Sequence, residues 1–138
     1  SRKSDSPLPV TEIDINAMIR ELVEDNKYLS QDKDIEFDLD KLAAGDMLHD
    51  NYGAVQLVLM NLVRNAIQYT HEGCITFENF SSTVTITNPV DDDNSDQKVE
   101  SSYGIGLYLV EKICEAQNYR FEIMTETNTV KATVSFTR

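Results

Sequence analysis

Residues 54–70 read AVQLVLMNLVRNAIQYT, and the reading of this stretch decides the fold. It is too long for an ordinary strand and rich in Leu, Val, Ala and Met, so it is expected to be a helix. At 3.6 residues per turn, Asn61, Arg64, Asn65 and Gln68 fall at i, i+3, i+4 and i+7 and make one narrow polar stripe. Leu59, Leu62, Val63, Ala66 and Ile67 cover the remaining surface. Two readings are open. The stripe is a solvated face, or it is a set of groups kept for a ligand or a metal. A solvated stripe is usually built from Lys and Glu, whereas this one is amide-rich, and Asn is a poor interior helix former because its side chain competes for backbone hydrogen bonds.

Working outward, the segment IDINAMIRELVEDNKYL repeats its apolar residues at helical spacing, with Asp14 as the expected N-cap. IEFDLD alternates like a half-buried strand, and DMLHD is expected to be a short edge strand. Gly73 suits a turn after the striped helix. CITFENF and TVTITN, separated by a serine pair, read as a hairpin, and FEIMTET and VKATVSF as a closing hairpin turning at Asn128. Helical periodicity returns in GIGLYLVEKICEAQ, starting close to Gly106, after an acidic loop from Pro89 to Tyr103. Three helices and five or six strands that do not alternate regularly predict an α+β, two-layer α/β sandwich: a mixed, mostly antiparallel sheet of about five strands with three helices on one face.

At 138 residues the chain suits one domain at 13–138, behind a polar lead-in over residues 1–12. Its opening, SRKSDSPLP, predicts a fragment of a longer protein, with any membrane anchor outside it. The 24 acidic side chains against 12 basic ones give a formal charge of −12, which excludes nucleic acid and anionic lipid as general partners. No CxxC spacing exists, so Cys74 and Cys114 are expected to be buried reduced thiols. His49 and His71 are expected in surface positions.

Three constellations could carry chemistry: the amide stripe, the strand end TNPV at 87–90, and the glycine pair of YGIGL. Gly104 and Gly106 flank Ile105 just before a helix, where uncapped N–H groups and the helix dipole suit an anion. Taken together, NLVRNAIQYT, TNPV and YGIGLYLVEKI resemble the N, G1 and G2 boxes of the ATP-binding catalytic domain of sensor histidine kinases, members of the GHKL ATPase superfamily with a Bergerat-type fold. The resemblance covers nearly the whole chain.

What the resemblance implies is a transfer of the ATP γ-phosphate to a His on a neighbouring helical dimerisation domain of the same protein, homodimeric at full length, and onward to a response regulator. It implies a cytoplasmic domain of a membrane-anchored bacterial sensor kinase, making no membrane contact itself. The expected cofactors are ATP and Mg²⁺. By this resemblance Asn65 is the Mg²⁺ ligand, an amide oxygen being a hard donor suited to that ion. Asn61 lies toward the triphosphate, Tyr69 packs near the adenine, and Gly104, Ile105, Gly106 and Leu107 meet the phosphates. Arg64 and Lys98 are the candidate phosphate cations. Asn88 stands where the family has an Asp that accepts from the adenine amino group, and its amide oxygen can still accept.

The sequence departs from the family in several places. Val90 and Asp92 replace the G1 glycines, Gln68 stands where a basic residue is common, and the lid over about 89–103 has five acids and no Phe. Neither His49-Asp50 nor His71-Glu72 is followed by the Pro of a phosphoacceptor helix, so the fragment is not expected to phosphorylate itself. The altered G1 box and acidic lid give the alternative of a degenerate docking module with weak or no ATP binding. A hydrolysing ATPase or serine kinase of the same superfamily is disfavoured, because position 61 is Asn where those enzymes tend to carry a Glu base.

Overall fold

The computed structural model describes residues 9–42, 45–90 and 104–138, with the backbone alone at 104–106. The striped segment is helix α2, Tyr52–Gln68, started by Asn51, whose side chain accepts a hydrogen bond from Ala54 N at 2.7 Å. Its apolar positions Val55, Val58, Leu59, Leu62, Val63, Ala66 and Ile67 are all buried. Helix α1, Ile15–Asn26, is capped by Asp14 through Ala17 N and buries Ile15, Met18, Ile19, Leu22 and Val23 against the same core. A single 3₁₀ turn, Lys27–Ser30, follows it. Helix α3, Gly104–Gln117, begins two residues earlier than the periodicity indicates.

These three helices lie on one face of a sheet made by β2 (Asp34–Leu42), β4 (Glu72–Phe80), β5 (Thr83–Pro89), β6 (Arg120–Glu126) and β7 (Thr129–Ser135). The strand order is β2-β4-β5-β7-β6, parallel for β2 with β4 and antiparallel for the rest, so the sheet is mixed and mostly antiparallel as expected. Along β5 the burial alternates strictly: Val84, Ile86 and Asn88 point into the helical layer, and Thr83, Thr85 and Thr87 face away from it. Phe77 sits at the centre of the inner face, fully buried, with its ring stacked on Phe37 at 6.4 Å.

The serine pair does form a two-residue turn. Ser81 and Ser82 both adopt positive φ, 51° and 63°, as a type I′ hairpin requires. Serine tolerates this conformation poorly, but here Ser82 N donates to the Asp46 carboxylate at 2.8 Å and Ser82 O accepts from Phe136 N at 3.0 Å. Asn128 turns the second hairpin at φ 65°.

Two further strands lie outside the main sheet. β1, Thr11–Asp14, and β3, Met47–Asp50, pair antiparallel, so the DMLHD segment is not an edge of the five-stranded sheet but half of a separate ribbon. The ribbon is tied to the other end of the chain by Asp50, buried at 4% exposure, which accepts from Tyr119 Oη at 2.8 Å and Arg138 Nη1 at 3.0 Å. Burial, then the hydrogen bond and charge of Asp50, push the Tyr119 phenol well above its ordinary range, while Arg138 opposes them.

Cysteine burial corrects one expectation. Cys114 is buried between α3 and the sheet, but Cys74 is exposed, because it sits near the start of β4 on the face turned away from the helices. Burial, and then the charge of Glu111, push the Cys114 thiol up to about 11. A thiol reagent at pH 8 is therefore expected to titrate one cysteine rapidly in the native protein and the second only on unfolding, and Cys74→Ser should remove the fast phase. His49 and His71 are both exposed, and His49 Nδ1 meets Glu12 Oε2 at 2.9 Å across the ribbon.

Candidate functional site

A candidate cleft forms where the C-terminal half of α2, the end of β5 and the start of α3 converge over the β6–β7 hairpin. A cavity of about 10 Å³ lies there, lined by Leu62, Asn65, Ala66, Ile86, Asn88, Leu107, Ile123, Val130 and Ala132. Three positions singled out on separate motifs, Asn65, Asn88 and Leu107, thus meet in one place although 23 and 19 residues separate them in sequence. None of these described lining residues carries a charge. Beside the cavity, Tyr69, Val90, Leu107 and Ile123 pack around Val130.

Helical spacing explains why only part of the amide stripe enters. Asn65 Nδ2 is buried and has no hydrogen-bond partner among the described residues, an arrangement that leaves about 1–3 kcal/mol of desolvation unoffset and that a ligand acceptor would relieve. Asn61, one turn earlier, does not line the cavity, and its Nδ2 donates to Leu57 O of its own helix at 2.8 Å. Arg64 and Gln68 are exposed on the flank of α2 and do not line the cavity either. Among the described residues of the stripe, Asn65 lines this cavity and Asn61, Arg64 and Gln68 lie outside it.

Asn88 is 3% exposed at the end of β5, where its Nδ2 donates to Pro89 O at 3.1 Å. The strand is fixed just beyond it by Val90 N donating to Asn128 O at 2.9 Å. Gly73 crosses under Pro89 with φ 121°, and a Cβ there would come within 2.9 Å of Pro89 Cγ, so this glycine is required both by its backbone and by the close approach. Gly104, Ile105 and Gly106 form the first turn of α3, with helical backbone from Gly104 onward. Lys98, Asp92 and the lid from residue 91 to 103 lie outside the described residues.

Two features of the site escaped sequence reasoning. Lys33, at the entry to β2, donates from Nζ to both Ile67 O and Gln68 O at 2.9 Å, closing the C-terminus of α2 immediately behind Tyr69. A cation there meets the negative end of the helix dipole. Burial holds the Lys33 ammonium below its ordinary pKa. The second is Thr70, whose Oγ1 donates to Ala66 O at 2.6 Å and closes the same turn. Lys33→Met, which keeps the stem and removes the donors, is expected to cost about 1 kcal/mol of stability, read as a lower urea midpoint at unchanged slope.

Among the described residues no three His, Cys, Asp or Glu side chains cluster as a metal site, and no helix is long and apolar enough to cross a membrane. No protein-family model matches the sequence, nor does any curated protein. Solved structures do match it. The cytoplasmic segment of histidine kinase QseC aligns with a TM-score of 0.70 at 19% identity, over 94% of this chain and 78% of that one. The catalytic domain of histidine kinase ThkA, in a nucleotide-free form, aligns at 0.67 and 22% identity, over 92% of this chain and 95% of its own. Full-length ShkA in complex with AMPPNP aligns at 0.72 and 18% identity, over 94% of this chain but 31% of that larger one. At such identities the likeness is one of architecture, and it agrees with the helices, the mixed five-stranded sheet and their order along this sequence: the chain has the fold of a histidine kinase catalytic domain.

Proposed function

We propose that this domain binds Mg²⁺·ATP in the cleft between α2, the end of β5 and the start of α3, and presents the γ-phosphate to a His on a helical domain of the same protein, from which a response regulator is phosphorylated. The observation that carries this reading is the buried Asn65 Nδ2, without a partner among the described residues, on a side chain that lines a cavity shared with Asn88 and Leu107. That cavity is apolar on most of its walls, which suits a flat heteroaromatic base and not a triphosphate, so the base goes inward and the phosphates toward the first turn of α3.

Asn65 fits a Mg²⁺ ligand because its Nδ2 has no partner, so a half-turn that presents Oδ1 instead breaks no bond made by Nδ2. Mg²⁺ takes one or two protein ligands and completes its shell with waters and phosphate oxygens, so the lack of a three-ligand cluster among the described residues does not count against it. When bound, the ion would neutralise charge on the transferring phosphoryl group. Tyr69 borders the base, Asn88 hydrogen-bonds its edge, and Leu107 covers it. The chain's part is orientation and exclusion of water, with no side chain forming a covalent bond.

A second reading, a docking module that has lost nucleotide binding, is favoured by one observation: a cavity of about 10 Å³ holds one water molecule, and a base enters only if its walls part. Calorimetric titration with a non-hydrolysable ATP analogue separates the two. Binding that is saturable and weakens when Mg²⁺ is chelated is expected; no heat at millimolar analogue would establish the docking module. A longer chain including the helical domain should then acquire acid-labile label from γ-³²P-ATP.

A further inference from the structure

A second group of buried polar atoms lies away from the cleft, where the start of α1, the Asp46 turn and the serine hairpin meet, at the opposite end of β5 from Asn88. Asn16, the second residue of α1, and Asn79, near the end of β4, are 4% and 7% exposed. Asn79 Nδ2 donates to Asn16 Oδ1 at 2.8 Å and to Asp46 Oδ2 at 2.9 Å. Two atoms of this group, Asn16 Nδ2 and Asn79 Oδ1, are buried without a hydrogen-bond partner among the described residues. We propose that the two amides hold one internal water molecule, which accepts from Asn16 Nδ2 and donates to Asn79 Oδ1.

The neighbours fix which atom of each amide is left over. Asp46 Oδ2 is an acceptor that also takes Ser82 N at 2.8 Å, so the atom of Asn79 facing it is the nitrogen. Turned over, Asn79 would set its oxygen against the carboxylate. With that nitrogen donating, the Asn16 atom in front of it is the oxygen, since two NH2 groups facing each other make no bond. What remains is one donor and one acceptor on two amides that meet at 2.8 Å, so the unpaired atoms flank one spot. A metal cation is repelled by the N–H groups of Asn16 and an anion by the oxygen of Asn79, whereas water donates and accepts at once. A buried water makes about three hydrogen bonds, and Asp46 Oδ1 supplies the third acceptor or donor site: its described contact, from Ser82 Oγ, is a long 3.4 Å. Two amide atoms left dry would each forfeit their solvation, and buried polar groups in folded proteins are bonded to protein or to ordered water for that reason. The water completes a polar link between α1, the Asp46 turn and β4 that does not depend on nucleotide binding.

The test is water-to-protein cross-relaxation in ¹⁵N-labelled protein without nucleotide. The Asn16 Hδ2 protons are expected to show cross-peaks at the water frequency, opposite in sign between laboratory-frame and rotating-frame spectra, as a water held longer than the tumbling time of the protein requires. These cross-peaks should persist in Ser82→Ala, which removes the hydroxyl of the group and with it any relay through hydroxyl exchange. Absence of the cross-peaks in the unaltered chain, or their loss in Ser82→Ala, would overturn the inference. So would a saturable shift of the Asn16 and Asn79 amide signals under potassium or calcium chloride, which would put a cation there instead. Should Ser82→Ala not fold, ¹⁷O relaxation of the solvent, which hydroxyl exchange does not reach, decides the matter. Asn16→Leu, of the same branched shape, should lower the slow-water contribution by one molecule, and an unchanged contribution would contradict the assignment.

Discussion

Phe77→Ala should lower the stability of the domain by about 3–5 kcal/mol, a loss at the upper end for a single core truncation. Phe77 is fully buried on the inner face of β4, the strand that joins parallel β2 to the antiparallel part of the sheet. Its ring stacks on Phe37 of β2, so truncation removes both a large transfer term and the aromatic contact that holds the parallel strand. The walls are the packed faces of α2 and the neighbouring strands and cannot collapse far, which leaves a residual cavity. Against a total stability of about 5–15 kcal/mol for a domain of this kind, such a loss takes a large share. Urea unfolding should show a lower midpoint at the same slope, whereas Phe80→Ala, on a residue 82% exposed next to the serine turn, should change stability by less than about 0.5 kcal/mol. A Phe77→Ala loss under about 1 kcal/mol would mean that the two-layer packing is not as described.

The second large effect is on binding. Asn65→Ala is expected to weaken Mg²⁺·nucleotide binding by about a hundredfold, since it removes both the hard oxygen for the ion and the buried donor that a ligand would satisfy. The same substitution should leave the fold as stable or slightly more so. Alanine is the better helix former by several tenths of a kcal/mol, and it deletes a buried polar group that has no partner. This opposition is diagnostic: a structural role for Asn65 would lower stability along with binding. Asn61→Ala provides the contrast, because Asn61 Nδ2 is already engaged by Leu57 O and does not line the cavity. It should weaken nucleotide binding by no more than about threefold, the limit set by the loss of a neutral, solvent-side amide.

Much of this was legible in the chain. The i, i+3, i+4, i+7 stripe identified α2, period-two alternation identified β5 and β7, and left-handed turn positions at Ser81, Ser82 and Asn128 match the expected hairpins. Those signals are local, set by helix and strand geometry over a few residues. The parts that were not legible are long-range. Nothing near Lys33 announces that its ammonium closes a helix 34 residues away, and nothing near Asp50 announces Arg138, 88 residues on. DMLHD reads as a strand, but its partner β1 does not, because four residues carry too few alternations to stand out from a polar lead-in, and without β1 the ribbon is invisible. Cys74 was misplaced for a related reason: its neighbours are apolar in sequence, but alternation along β4 sends Ile75 and Phe77 inward and Cys74 out.

Of the candidate residues, some were brought together and others were not. Asn65, Asn88 and Leu107 come together, and Tyr69 packs beside them, because each lies on a rigid element whose direction its own periodicity sets. Asn61 and Arg64 share the stripe with Asn65 on a helical wheel, but a cavity at one end of a helix is reached by fewer than all positions of a stripe that spans two turns.

The side chains of Asn65 and Asn88 line one cavity, and on the proposed function a nucleotide enters it. Their side-chain amide signals, assigned by single Asn→Asp substitutions in ¹⁵N-labelled protein, can be followed by NMR during titration with Mg²⁺ and a non-hydrolysable ATP analogue. Both pairs of amide resonances should shift together along one saturation curve, with the exposed Asn118 side chain unmoved. Saturation that shifts neither amide, or that shifts only residues of the β1–β3 ribbon and the outer sheet face, would contradict that function.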